Sequence, residues 1–288
     1  MLPSFLIIGA MKSATTSLFR DLGYSPAVFL PEDKEPNSLT SEAVLSGEGR
    51  RAYEALFSGA TAGQLCGEAS TAYTKRPEID GVAGRAHALL GPELKLIYLV
   101  RDPVERIISH HHHDVARGVA SPDIDAEVRR QPRYLDISRY AYQLEPWIET
   151  FGRDHLLILR FEDFTARRRE VVDEVCRFLG LQPCGHLIDA GKTFNPGDNR
   201  RPTTALWRRL VGHPLYRRGL RRLLPWQVRE RLRLRLLPKA PARPPPPRPE
   251  TVDWIVDELH EDMEALGHLM GSAGAAPWER WRQARSES

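Results

Sequence analysis

The sequence predicts an α/β fold, a central parallel sheet of four or five strands flanked by helices. Short apolar, β-branched runs, notably Phe5–Ile8 and Leu94–Val100, have the length and composition of strands buried on both faces. Each is followed by a polar break and then by apolar residues at helical spacing, the alternation expected of strand–loop–helix units. The 288 residues, 41% hydrophobic and 27% charged, are enough for one large domain with a sizeable core.

The first unit carries the strongest chemical signal. Gly9 ends the strand, Ser13 to Ser17 supply small hydroxylated residues, and Leu18-Phe19 resume a helical pattern. A strand, tight loop and helix start in that order aim backbone N–H groups and the positive end of a helix dipole at one point, where Lys12 adds a full charge. The ligand implied is a phosphate or a group shaped like one. The common phosphate loop, G-x-x-x-x-G-K-[ST], is absent, because the lysine comes three residues after Gly9 and no Gly-Lys-Ser follows.

The order Gly9-x-x-Lys12-Ser13-x-Thr15-Thr16-Ser17-Leu18 resembles the 5′-phosphosulfate loop of sulfotransferases that use 3′-phosphoadenosine 5′-phosphosulfate (PAPS). The resemblance implies a P-loop-like single domain in which Lys12, Ser13, Ala14, Thr15, Thr16 and Ser17 hold the donor. PAPS would be the co-substrate and adenosine 3′,5′-bisphosphate (PAP) the product, with no metal required.

Ala27–Leu30 is a short strand candidate leading into Pro31-Glu-Asp-Lys-Glu-Pro36. Four charges between two prolines suit a solvated turn. The same Lys34-Glu35-Pro36 resembles the K-E-P of the heparan-sulfate-like and bacterial branches of the family, which implies Glu35 as general base. Those branches follow K-E-P with aromatic residues, whereas Asn37-Ser38-Leu39 stands here. Arg51 to Ser58 reads as a helix closed by Gly59. Gly67-Glu68-x-Ser70-x-x-Tyr73 resembles a family segment that brings a serine and an aromatic ring to the cleft; read without it, Glu68 and Tyr73 are a polar strand terminus. Ala69 stands where some branches place a catalytic lysine, so that role is lost or has passed to Lys34 or Lys75.

Pro77 to Leu90 reads as a helix, and Leu94–Val100 as the strongest strand. Arg101-Asp102-Pro103 follows, with Ser109 eight residues after the arginine. Arginine offers a planar fork that grips phosphate through two bonds, and in the family this Arg/Ser pair binds the 3′-phosphate of PAPS. His110 to His113 do not make a metal site, since only His110 and His113 share a helix face and no further ligand completes a set. His113 resembles a histidine of the N-sulfotransferase-like branch that faces the acceptor, and the other three are read as solvated or packing residues.

Ser121 to Arg133 reads as a mobile loop or short helix over the cleft. Ser138 to Trp147 reads as a helix that buries Tyr140, Leu144 and Trp147 on one face. His155 to Asp163 is another strand with the family's Glu-Asp close. The helix from Arg167 to Gly180 turns Val171, Val172, Val175, Phe178 and Leu179 inward and ends at the Gly180 cap. Phe194 to Pro202 resembles the family's late nucleotide-binding loop, which implies Asn195 and Arg200 or Arg201 as donor contacts. Between Arg200 and Lys239 stand thirteen basic residues and a single acid, Glu230. This is either an amphipathic face for an anionic surface or a solvated arginine face whose stems cover apolar groups. A polyproline connector, Arg243–Pro249, precedes a helix from Thr251 to Leu266 that buries Trp254, Ile255, Leu259, Met263 and Leu266, and Trp278 matches the family's closing tryptophan.

The chain therefore reads as one sulfotransferase domain over 1–288, with a core at 1–199, an arginine/proline-rich segment at 200–250 and a C-terminal helix at 251–288. Its reaction would pass a sulfuryl group to a small-molecule, glycan or lipid acceptor, with no nucleic-acid partner. An ATP-dependent kinase and a non-enzymatic nucleotide- or polyanion-binding protein are the competing readings. Three cysteines without metal-ligand spacing, no signal-peptide pattern and no apolar run of about 18 residues lead to the expectation of a cytoplasmic protein.

Overall fold

The structure is a computed structural model and describes residues 1–191, 243–272 and 276–283. Five strands, β1 (Phe5–Gly9), β2 (Val28–Phe29), β3 (Leu65–Ala69), β4 (Lys95–Val100) and β5 (Leu156–Arg160), pair in parallel in the order β2-β3-β1-β4-β5. All five C-terminal ends therefore lie along one edge. The chain winds outward to β2 and β3 on one side of β1 and to β4 and β5 on the other. That places the topological switch point at β1, where sheets of this kind bind ligands.

The helices are α1 (Thr15–Leu22), α2 (Gly47–Ala55), α3 (Val82–Leu90), α4 (Pro103–Ala116), α5 (Ile124–Arg130), α6 (Arg133–Asp136), α7 (Tyr140–Phe151), α8 (Phe161–Ala166), α9 (Arg168–Phe178), α10 (Pro249–Leu269) and α11 (Glu279–Gln283). Strand alternation sorts the core into two apolar layers. Leu6 and Ile8 of β1 and Leu96, Tyr98 and Val100 of β4 pack with α2 to α7, α10 and α11. Phe5, Ile7, Ile97 and Leu99 point the other way, against α1, α8 and α9. As the periodicity predicts, Tyr140, Leu144 and Trp147 of α7 are buried.

Several boundaries depart from the sequence reading, each for a local reason. The second helix begins at Gly47 rather than Arg51, because Ser46 caps it by accepting a hydrogen bond from Gly49 N at 3.0 Å. The third begins at Val82 rather than Pro77, because Asp80 and Gly81, at φ 71°, turn the chain first. β5 stops at Arg160, and Glu162 and Asp163 fall in the first turn of α8, where a helix dipole favours acids. α7 begins at Tyr140, leaving the Ser138 hydroxyl to accept from Arg106 Nε at 2.7 Å. α10 exceeds its expected span at both ends, with proline in its first turn. Trp254 is only half-buried and lies under the Arg129 guanidinium, 4.4 Å from its ring centroid. Phe178 and Leu179 are likewise only partly buried, while Gly180, at φ 72°, follows the end of α9 as expected. Residues 124–130 form the short helix of the two alternatives, with Ile124 and Val128 in the core.

Two carboxylates, the buried Asp21 and the half-buried Asp262, tie helices together. Asp21 of α1 makes a two-bond ion pair with Arg168 of α9, at 2.7 and 2.8 Å. Asp262 of α10 accepts from Ala141 N and Tyr142 N at 3.1 and 2.9 Å, capping α7, which has no capping side chain of its own. Cys66, Cys176 and Cys184 are all buried and free. No described helix is long and apolar enough to cross a membrane, and the arginine-rich stretch 200–239 lies outside the described residues.

Gly9 marks a tight contact at the end of β1. A Cβ there would lie 2.3 Å from Thr74 Oγ1 and 2.4 Å from the Tyr98 ring. Both neighbours are buried, and Thr74 Oγ1 is already committed to Ile8 O at 2.8 Å. Gly9→Ala is expected to destabilise the fold by about 1–3 kcal/mol through overpacking. Urea denaturation measures this, and a change below about 0.5 kcal/mol would show that the contact yields freely.

Candidate active site

The loop after β1 is built as an anion cradle. Lys12 and Ala14 both adopt left-handed backbone conformations, at φ 75° and 66°. Alternation of this kind turns successive amides into one concavity. Ala14 occupies the N-cap of α1 and offers no side-chain bond, and the first turn contains no acid. The positive end of the dipole thus meets no carboxylate of its own helix. Thr15 and Ser17 are buried and Thr16 is half-buried. Ser13 is fully buried, yet its Oγ has no hydrogen-bond partner. Leaving such a hydroxyl unpaired costs about 1–3 kcal/mol, which an anionic ligand accepting its proton would recover. The residues present fit the phosphosulfate end of the donor.

The loop after β4 lies beside the first, joined by the bond from Ala10 N to Leu99 O at 2.8 Å. Arg101 lies over the Phe161 ring, 4.6 Å from its centroid, and pairs with Glu105 Oε2 at 3.2 Å. The guanidinium is therefore held in a fixed direction with one edge engaged by a partly exposed carboxylate. Its backbone is clamped as well. Tyr140 donates to Arg101 O at 2.7 Å, Glu162 Oε1 accepts from Asp102 N at 3.1 Å, and Asp102 caps α4 through Glu105 N at 3.0 Å. The second Asp102 oxygen accepts from Trp281 Nε1 at 3.1 Å. Sequence reasoning chose Trp278 as the closing tryptophan. Trp278 is buried, but Trp281 makes the bond, and only the folded C-terminus reveals it. Ser109 and His113 are half-buried and stand four residues apart on α4, on one face.

Glu35 lies after β2, held to the end of β3 by its own N–H, which donates to Ala69 O at 2.9 Å. Its φ of 64° is left-handed, a strained conformation for a non-glycine residue. Oε1 accepts from Lys34 Nζ at 2.7 Å and from Thr71 Oγ1 at 3.2 Å. Burial works to raise its pKa, but the Lys34 charge and hydrogen bond, the Thr71 hydroxyl and the Lys75 charge outweigh it. The carboxyl ends below its ordinary value. The Lys75 charge also acts on His110 of α4.

Glu68 and Tyr73 are more than a polar strand terminus. Glu68 is fully buried and accepts from the Tyr73 hydroxyl, which in turn accepts from Leu39 N at 3.3 Å. The pair links β3 to the segment that carries Glu35. Burial pushes Glu68 up to about 7, against the favourable pull of the Tyr73 and Tyr53 hydroxyls.

Of the four histidines, His110 and His111 are packing residues. His110 lies between Tyr134 and Asp114, and burial beside Arg106 holds its pKa well below the ordinary value. His111 bonds Ser121 O at 2.8 Å. Among the described residues no group of three or more His, Cys, Asp or Glu is arranged to hold a metal. Asn195, Arg200 and Arg201 lie outside the described residues.

Residues 84–191 match the model of the sulfotransferase domain, a span that takes in Arg101, Ser109 and His113. Over that span the chain is similar to a sulfotransferase domain. Carbohydrate sulfotransferase 15 of Mus musculus is 28% identical over 138 residues, covering 38% of this chain. The bifunctional heparan sulfate N-deacetylase/N-sulfotransferase 1 of the same organism is 27% identical over 218 residues, covering 67% of it. The matched regions are 25% and 24% of those relatives, so the chain corresponds to about a quarter of their length. In fold it resembles a sulfotransferase from Alicyclobacillus acidocaldarius, with a TM-score of 0.65 at 21% identity over 98% of this chain and 99% of that one. The sulfotransferase domain from the curacin biosynthetic pathway gives 0.51 at 16% identity, over 90% and 98%.

The buried acid gives the fold a testable pH signature. Glu68 has a raised value of about 7 in the folded chain against an ordinary 4.5, so between those values the folded chain keeps a proton that the unfolded chain releases. Its contribution is fully present below pH 4.5 and is lost as pH rises through 7. Asp262, pushed up to about 6 by burial, acts in the same direction. Glu68→Gln is expected to flatten the decline in stability across this range without removing it. Urea midpoints at pH 5 and pH 7.5 test this, and an unchanged slope would mean that Glu68 is ionised in the fold.

Proposed function

We propose that this domain transfers a sulfuryl group from PAPS to a hydroxyl or amine of a glycan or small-molecule acceptor. The observation that carries the reading is the partnerless, buried Ser13 hydroxyl beneath the uncapped start of α1, with Arg101 fixed at the end of the adjoining strand. One anion fits the first position and a second phosphate the other, as a 3′,5′-bisphosphorylated nucleoside requires. The relatives' names concern carbohydrate and heparan sulfate, so glycans are the first acceptors to test.

PAPS supplies the sulfuryl group and departs as PAP. Glu35 takes the proton of the acceptor O–H or N–H as its oxygen or nitrogen bonds to sulfur. The bond from sulfur to the 5′-phosphate oxygen breaks, and that oxygen keeps the electron pair. Lys12 and the amides at the start of α1 stabilise the charge developing there, where preorganised donors act most strongly. Arg101 and Ser109 hold the 3′-phosphate and so fix the line of attack. His113 orients the acceptor.

Binding of PAP in preference to ATP, read by calorimetry, and transfer of label from radioactive PAPS to a panel of glycans, phenols and lipids test the reading as a whole. Arg101→Ala is expected to weaken PAP by about 10- to 100-fold, the scale of a lost charge-assisted pair. Adenosine 5′-phosphosulfate, which lacks the 3′-phosphate, should be almost unaffected, and equal losses for both would place Arg101 elsewhere.

Glu35→Gln keeps the shape and removes the proton acceptor. Turnover should collapse by 10²-fold or more (on the order expected for a general base) while PAP affinity holds. Because Glu35 sits below its ordinary 4.5, wild-type kcat/KM should be level near neutrality and decline only in more acidic solution. An active Glu35→Gln alongside a dead His113→Ala would reverse the two roles.

A further inference from the structure

The two oxygens of Glu35 have different surroundings. Oε1 accepts both the Lys34 ammonium and the Thr71 hydroxyl, whereas no described residue bonds Oε2. We propose that Thr71 is the positioning residue of the base, holding Oε1 so that Oε2 is the oxygen turned to the acceptor's proton. This rests on the reading of Glu35 as base, and it assigns the proton to one atom.

Thr71 is suited to the task by its own surroundings. It is 5% exposed and opens the 3-10 turn Thr71–Thr74 at the end of β3, so its hydroxyl is presented from a fixed element. The segment it grips is fastened to the same turn at several points. Asn37 N donates to Ser70 Oγ at 3.2 Å, Leu39 N to the Tyr73 hydroxyl, and Arg85 Nε to Leu39 O at 2.7 Å. Asn37 Nδ2 donates to Glu35 O at 3.0 Å, beside the left-handed backbone. These bonds fix where Glu35 is. They do not fix the rotation of its carboxylate, which Lys34 and Thr71 alone touch among the described hydrogen bonds. Lys34 is the chain neighbour of Glu35 and moves with its segment, while Thr71 is presented from a separate element, the turn at the end of β3. At 3.2 Å the Thr71 bond has room to shorten, as hydrogen bonds at catalytic groups do when the complex forms. The charged groups acting on the carboxylate are Lys34 from its own segment and Lys75 from the end of the turn.

The test is Thr71→Val, which keeps the shape and removes the hydroxyl, with Thr71→Ser to restore it. Thr71→Val is expected to lower kcat by about 10- to 100-fold, the scale of a misplaced catalytic group. Acceptor KM and PAP affinity should hardly change. The Glu35 carboxyl, followed by carbon NMR, should titrate at higher pH once a donor to its charged form is gone. Thr71→Ser should recover both values, and if valine disrupts the turn, Thr71→Ala makes the same comparison. A Thr71→Val enzyme with wild-type kcat and an unmoved Glu35 titration, beside a dead Glu35→Gln, would overturn this inference alone. A fully active Glu35→Gln would overturn the base reading, and this role with it.

Discussion

Gly9 lets β1 run against Thr74 and Tyr98 with no room for a side chain, and the geometry of the cleft depends on that approach. Because β1 is the central strand, its end is the common reference for the loops on either side. Thr74, hydrogen-bonded to Ile8 O, closes the same turn that carries Ser70, Thr71 and Tyr73. Tyr98 belongs to β4, whose end carries Arg101. The loop after β1, the segment bearing Glu35 and the strand end bearing Arg101 are therefore positioned against one close-packed junction. Close packing of this kind transmits small displacements rather than absorbing them.

The cleft places unlike electrostatic devices side by side. The loop after β1 offers amides, a helix terminus and Lys12, and no carboxylate intrudes in the first turn of α1. On the neighbouring segment, two lysines and a hydroxyl hold the Glu35 carboxyl below its ordinary value against partial desolvation. Glu68, one residue before the strand carbonyl that holds Glu35, is driven the other way because burial outweighs its tyrosine hydrogen bonds. Two glutamates on neighbouring segments thus differ in protonation by environment alone, one suited to accept a proton and the other to hold a tyrosine in place.

The C-terminal part of the chain supports this arrangement from behind. α10 enters the same apolar layer as α4 and α7, and Asp262 supplies the cap that α7 lacks. Trp281 reaches Asp102, the residue that starts α4 immediately after Arg101. The direction of the arginine fork is thereby coupled to residues about 180 positions away in the chain.

The sequence by itself determined the parallel α/β class and the two strand–loop–helix units, and it marked Lys12 and Arg101 as anion-binding candidates, because those features are written in local spacing; Glu35 entered only through the resemblance of Lys34-Glu35-Pro36. Apolar runs of strand length, a glycine at the strand end and Arg-Asp-Pro before a helix are legible one segment at a time. Helix starts at Gly47 and Val82 were not, since a serine cap and an aspartate–glycine turn outweighed the apolar pattern there. Only the tertiary structure decided what Thr71, Glu68 and Trp281 do. Thr71 meets Glu35 and Tyr73 meets Leu39 across the sheet edge, Trp281 meets Asp102 through the packed C-terminus, and a hydroxyl or an indole in sequence carries no mark of the group it will meet. Spacing reveals which residues can bind an anion, whereas the direction of a carboxylate's free oxygen depends on contacts between segments that only folding brings together.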